Sequence, residues 1–213
     1  MEKQPTKTMQ VYAALLAITG WIAVVLQFYL ILLNRQASVA ETIIRFFSFF
    51  TILTNILVAL CCTSFLAGPT GRRGYVNRFL SKPSTLTATV VYITIVGLVY
   101  NIVLRILWEP QGLQLWVDEW LHSVIPSLFL LFWLLFVPKG GLKWRDVWIW
   151  LIFPLVYLLL ILLRGSWSGF YPYPFIDVNK IAYHDAFVNA GAVMLGFLVL
   201  SLFLIGIGKW RKG

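Results

Sequence analysis

The chain has 213 residues, of which 60% are hydrophobic and 12% charged, and it contains ten tryptophans. A water-soluble domain needs a larger polar surface, so the composition predicts an all-α integral membrane protein and leaves no room for a separate soluble domain. The formal net charge of +9 comes from short basic clusters between apolar runs, which is typical of membrane topology signals and not of a nucleic-acid-binding surface.

The apolar runs predict six transmembrane helices in one domain that covers residues 1–213. Pro126 lies near the start of the fourth helix, where it should kink the helix or free a backbone carbonyl. The predicted spans are approximately residues 9–33, 41–66, 85–107, 119–137, 146–163 and 184–208.

Charge asymmetry predicts the orientation of these spans. Six spans place the two termini and the even-numbered loops on one side, and that side carries 12 of the 17 lysines and arginines. The other side carries six of the eight acidic residues. The positive-inside rule therefore predicts a multi-pass protein of the cell membrane with both termini in the cytoplasm.

The segment RFFSFFTILTN, residues 45–55, places a polar seam of Ser48, Thr51 and Asn55 on one face of the second predicted helix. In the predicted topology this seam lies in the outer half of the membrane. Polar groups of other helices fall at a similar depth, and burying them in lipid is costly unless they face one another or water. We therefore expect a shared polar cavity open toward the outer leaflet. These groups are Asn101, Arg105, His122, Asp185 and Asn189.

A hydroxyl and an imidazole at one depth are the minimum parts for nucleophilic catalysis on an ester. Thr51 is the best-placed hydroxyl, His122 is the candidate base, and Asn55 is a possible oxyanion donor. Thr54 is displaced by about 60° from Thr51 and is an alternative nucleophile. The competing interpretation is structural, because a threonine in a membrane helix commonly bonds the carbonyl one turn back.

Several charged groups have two or more possible roles. Asp118 and Glu119 precede His122 by four and three residues, so either carboxylate could orient its ring. Arg105 could bind a substrate carboxylate or extend to the membrane surface. Asp185 could pair with Arg105, with His184 or with Lys180. We expect no metal and no cofactor.

The loop sequence YPYPF, residues 171–175, is either an interfacial aromatic belt or a lid over the mouth of the cavity. Together with FFSFFTILTN (46–55), HSVIP (122–126), WLLFVPKG (133–140), PLVY (154–157) and RG (164–165), it resembles the prokaryotic six-span branch of the androgen-induced transmembrane protein and androgen-dependent TFPI-regulating protein family.

That resemblance implies an intramembrane threonine hydrolase that splits fatty acid esters of hydroxy fatty acids. It implies Thr51 as the nucleophile and His122 as the base. In the family pattern an asparagine follows the threonine by three residues, whereas here Thr54 stands three residues after Thr51 and Asn55 comes next. Phe132 stands before WLLF where an acidic residue is expected. The alternatives are a lipid-binding or transport protein without chemistry and a structural membrane partner whose polar groups join helices.

Overall fold

The computed structural model describes residues 6–68, 74–107 and 109–210, and the regular structure within these ranges is helical. Six helical segments there are long and apolar enough to cross a membrane, which confirms the predicted all-α class and number of spans. Five basic residues that contribute to the predicted orientation lie outside the described residues, namely Lys3, Arg72, Arg73, Arg211 and Lys212.

The six spanning segments contain seven of the nine α-helices of the described residues, and Val39–Phe47 and Gly74–Leu80 lie between spans. The third span ends in a short π-helical turn, Tyr100–Leu104, and the fourth contains one, Trp120–Val124. The helices are α1 Lys7–Leu33, α2 Val39–Phe47, α3 Phe50–Ala67, α4 Gly74–Leu80, α5 Pro83–Val99, α6 Leu113–Glu119, α7 Ile125–Phe136, α8 Asp146–Ser168 and α9 Tyr183–Trp210.

The segment predicted as the second span, residues 41–66, is interrupted, and its spanning helix is Phe50–Ala67. Helix α2 ends at Phe47, and Phe49 adopts an extended conformation (φ −84°, ψ 123°) before α3 begins at Phe50. The Ser48 hydroxyl donates to the Ile44 carbonyl (2.7 Å), and the Tyr157 hydroxyl donates to the Ser48 carbonyl (2.7 Å). These side chains satisfy backbone groups that the break would otherwise leave without partners.

The fourth span is distorted around Pro126, as predicted. Proline has no N–H, so the carbonyl of His122, four residues earlier, loses its usual helical partner. The Asn101 side chain donates to that carbonyl instead (3.3 Å). The close approach depends on Gly97, where a Cβ atom would lie 2.9 Å from the same carbonyl oxygen.

Helix α5 and its π turn form the centre of the bundle. The most apolar stretch of Pro83–Leu104 is 67% buried, against 22% for α8 and 28% for α9, so the last two helices expose most of their apolar surface. Helix α5 packs against α3, α7 and α9. Three connections lie at one end of the bundle, here called the distal end, where they line a common cavity: the one after α1, the one after the π turn that ends the third span, and the one after α8.

Candidate active site

Thr51 and His122, the predicted nucleophile and base, meet at the distal end of the bundle. Thr51 lies in the first turn of α3 and His122 in the π turn before α7. Thr51 Oγ1 is 3.3 Å from His122 Nε2, and the two residues are 7% and 9% exposed. Residues 71 positions apart in the chain are therefore within hydrogen-bonding distance in a site largely shielded from solvent.

The surroundings of His122 determine which ring nitrogen carries the proton. Its Nδ1 lies 2.9 Å from the backbone carbonyl of Asp118, and a carbonyl only accepts hydrogen bonds. In the neutral ring the proton is therefore on Nδ1, and Nε2 presents its lone pair to the Thr51 hydroxyl. This arrangement is the one that a general base for Thr51 requires.

Of the two carboxylates expected to orient His122, Asp118 is the one that faces the ring. Its Oδ1 is 3.4 Å from Nδ1, whereas Glu119 pairs with Arg105. Arg105 forms an ion pair with Glu119 and is exposed, so its guanidinium group is not directed at Thr51.

Tyr100 completes the support of His122 and was not predicted. Its ring stacks on the imidazole with centroids 3.9 Å apart and planes at 13°, and its hydroxyl donates to Asp118 Oδ2. Sequence spacing favoured the next residue, Asn101. His122 itself lies in a π turn, so an ideal helical wheel does not predict which side chain of the neighbouring helix meets its ring.

Asn55 and Thr54 bond to backbone carbonyls in this geometry. Asn55 Nδ2 donates to the carbonyl of Thr51 within α3 (2.8 Å) and to the carbonyl of Leu121 beside His122 (3.2 Å), so neither of its hydrogens is directed at a substrate. The Thr54 hydroxyl bonds to the carbonyls of Phe50 and Thr51. The geometry therefore favours Thr51 over Thr54 as the residue that faces His122.

Two predicted members of the polar cluster on α9 are separated from Thr51. Asp185 is exposed and lies near His184, with 3.4 Å between Oδ1 and Nδ1. Asn189 donates to the Phe175 carbonyl (2.9 Å) and so anchors the loop after α8. Asn101 contacts the back of the His122 turn through the His122 carbonyl and the Ser123 hydroxyl.

Two cavities meet at the Thr51 and His122 pair, and Tyr100 and Tyr173 also line both. The larger has a volume of about 960 Å³ and reaches polar side chains at the distal end, including Gln27, Gln36, Gln111 and Gln114. The smaller, about 80 Å³, is lined by apolar side chains of α5, α8 and α9 as far as Pro154 and Phe197. The larger cavity is therefore wide enough for an amphipathic molecule to reach Thr51, and the smaller one is an apolar recess beside it.

The YPYPF loop lies directly over Thr51. The Thr51 backbone N–H donates to the Tyr173 hydroxyl (3.3 Å), and Pro172 and Pro174 line the larger cavity. The Tyr171 ring packs so tightly on Gly165 that an added Cβ atom there would lie 2.1 Å from it. This position is the one that the lid interpretation requires.

An ion-pair cluster joins the base of this loop to α2. Glu41 accepts hydrogen bonds from Arg45 Nε (2.8 Å) and from Arg164 (2.6 Å), and both guanidinium groups lie over the Phe170 ring. The hydrogen bond from Arg45, together with the charge and hydrogen bond of Arg164, holds the pKa of Glu41 below its ordinary value of 4.5.

No protein family model, curated protein sequence or solved structure matches this chain.

Proposed function

We propose that this protein is an intramembrane threonine hydrolase that cleaves lipid esters, with Thr51 as the nucleophile and His122 as the general base. The observation that supports this is the 3.3 Å contact between Thr51 Oγ1 and the lone-pair nitrogen of His122, at the point where the two cavities meet. Fatty acid esters of hydroxy fatty acids are the substrates that the family resemblance suggests.

The reaction proceeds through an acyl-enzyme. His122 Nε2 takes the Thr51 proton as Oγ1 attacks the ester carbonyl carbon, and the leaving alcohol receives that proton when the tetrahedral intermediate collapses. Water then attacks the acyl carbon and gives a proton to Nε2. The bond between that carbon and Thr51 Oγ1 breaks, Nε2 returns the proton to Oγ1, and the carboxylic acid leaves the regenerated enzyme. The Asp118 carboxylate stabilises the imidazolium that forms in each half of the reaction.

In this proposal the protein resides in the cell membrane with both termini in the cytoplasm. The distal end then faces outward, and the larger cavity admits substrate from the outer leaflet. The proposal includes membership of the six-span family named above and requires no metal or cofactor.

The test is ester hydrolysis by purified protein in detergent or nanodiscs. The substrates are a palmitate ester of a hydroxystearate and a long-chain nitrophenyl ester. Thr51→Val and His122→Gln should each lower kcat by about 10³-fold or more, because both groups take part in the same step. Thr54→Val is the matched control, since it removes a buried hydroxyl one turn away that bonds only backbone carbonyls.

Thr51→Ser should retain activity because it keeps the hydroxyl, and a fluorophosphonate probe should label residue 51 in the wild type. Hydrolysis that survives in Thr51→Val, or probe attachment at another residue, contradicts the proposal.

A non-catalytic lipid-binding protein is the second candidate, and the apolar lining of the smaller cavity is the observation that favours it. That function predicts intact lipid bound after purification, no hydrolysis, and no loss of lipid binding in His122→Gln.

A further inference from the structure

The first turn of α3 leaves the amide of the proposed nucleophile directed out of the helix. No side chain caps this terminus, and the N–H groups of Ile52 and Leu53 both bond to the Phe49 carbonyl. The N–H of Thr51 donates instead to the Tyr173 hydroxyl (3.3 Å). A backbone donor therefore lies beside the hydroxyl that attacks the substrate, and a phenol lies within reach of both.

The phenol of Tyr173 is held firmly at this point. Its ring stacks on Phe175 (centroids 5.3 Å apart, planes at 8°) and meets the Phe49 ring edge to face (5.9 Å, 82°). The carbonyl of Phe175 is in turn bonded by Asn189. Tyr173 lines both cavities beside Thr51, so an ester bound at Thr51 also lies near the phenol.

The protonation state of Tyr173 suits a hydrogen-bond donor. Tyr173 lies in the connection between α8 and α9, outside the spanning helices, and its burial raises the pKa above the ordinary value of 10.0. The phenol therefore keeps its proton at neutral pH. Asn55 is the oxyanion donor expected from the sequence, but both its amide hydrogens are bonded to backbone carbonyls. Asn55 is therefore not available to bind the oxyanion.

We propose that Tyr173 is a catalytic residue whose hydroxyl, together with the backbone N–H of Thr51, binds the ester carbonyl oxygen as it becomes negatively charged. The substrate oxygen then replaces the Tyr173 oxygen as the acceptor of the Thr51 N–H. The inference rests on the proposed hydrolysis. When Oγ1 bonds to the carbonyl carbon, the carbonyl π electrons move to the oxygen, and the Thr51 proton goes to His122. When the carbon–oxygen bond to the alcohol breaks, those electrons return, and Tyr173 keeps its own proton throughout.

The experiment compares Tyr173→Phe with Tyr183→Phe, a matched loss of a phenol hydroxyl from an exposed residue at the start of α9. Removal of one preorganised oxyanion donor typically lowers kcat by about 10²- to 10³-fold. We expect this loss in Tyr173→Phe with little change in KM, and kcat close to the wild type in Tyr183→Phe.

Two inhibitors separate catalysis from packing. A long-chain trifluoromethyl ketone forms a tetrahedral oxyanion with Thr51, and its affinity should fall in Tyr173→Phe in parallel with kcat. The matching ether, which cannot form an oxyanion, should bind equally well to both proteins. Unchanged kcat in Tyr173→Phe, or an equal loss of affinity for ketone and ether, overturns the role of Tyr173 while hydrolysis stands.

A difluorotyrosine at position 173 addresses the case in which Tyr173→Phe does not fold. It keeps the ring packing but ionises at lower pH, so kcat should fall in mildly alkaline solution where the wild type remains active. Identical pH profiles overturn the inference. If the wild type hydrolyses neither ester, both the inference and the proposed function fail.

Discussion

Substitution of Asp118 by asparagine separates two ways in which a carboxylate can assist a histidine. In the Ser-His-Asp arrangement the carboxylate both fixes the tautomer of the imidazole and stabilises its positive charge, and its loss costs about 10⁴-fold in kcat. Here the backbone carbonyl of Asp118, 2.9 Å from His122 Nδ1, fixes the tautomer. Asp118→Asn leaves that carbonyl in place and removes only the charge.

The size of the charge effect follows from the geometry. The nearest carboxylate oxygen is 3.4 Å from Nδ1, and the two side chains are 10% and 11% exposed. Unit charges at that distance attract by about 1 kcal/mol at the dielectric constant of water and about 5 kcal/mol at an effective value of about 20. The carboxylate also accepts a hydrogen bond from Tyr100, which draws part of its charge away from the imidazolium. We therefore expect a loss of about 1.4 to 2.8 kcal/mol, or tenfold to hundredfold in kcat.

The assay is kcat for the long-chain nitrophenyl ester at saturating substrate. Glu119→Gln is the matched control, because it neutralises the adjacent acid, which pairs with Arg105 and does not face His122. A loss in Asp118→Asn as large as that in His122→Gln refutes the role given to the backbone carbonyl. A rate equal to the wild type refutes the role given to the charge.

Three further substitutions test how the site is held. Gly165→Ala should displace the Tyr171 ring and lower kcat, because an added Cβ would lie 2.1 Å from that ring. Gly97→Ala should lower both kcat and the melting temperature at a cost of about 1 to 3 kcal/mol, since its Cβ would press on the turn that carries the proposed base. Gly206→Ala, with open space at that position, is the control for both and should leave kcat and the melting temperature close to the wild type. Glu41→Gln should lower the melting temperature at neutral pH and not in acid. The ion pairs lower the pKa of Glu41, so their contribution to the free energy of unfolding is full above pH 4.5 and is lost as the pH falls through the pKa of the folded state. An equal deficit at both pH values contradicts that assignment.

The number of spanning helices and the contact between Thr51 and His122 could be predicted from the sequence for the same reason. Runs of about 20 apolar residues define spans, and spans give each polar group a depth. Depth alone does not say which way a side chain faces. Asp185 was predicted at the same depth as Thr51, yet it projects from the exposed first turn of α9 and is separate from the site.

The other errors arise where the backbone departs from an ideal helix. The sequence of Tyr100–Leu104 does not predict a π turn, since the segment contains neither proline nor glycine. One extra residue in a turn rotates the residues that follow it, and His122, whose ring stacks on Tyr100, itself lies in the π turn Trp120–Val124. Gly97, one turn before Tyr100, leaves room for the His122 carbonyl and for Pro126, which lies on another helix.

The interruption between α2 and α3 explains why Thr51 differs from Thr54 in its hydrogen bonds. In a continuous helix the N–H of Thr51 would bond to the carbonyl of Phe47, four residues earlier. Because Phe49 is extended, that bond does not form, and the N–H is directed toward Tyr173 and the cavities. Thr54 lies about one turn further along α3, where the helix is regular. Its hydroxyl bonds to backbone carbonyls, as threonine hydroxyls in helices usually do. The same break therefore separates the two threonines chemically, although their surrounding sequence is alike.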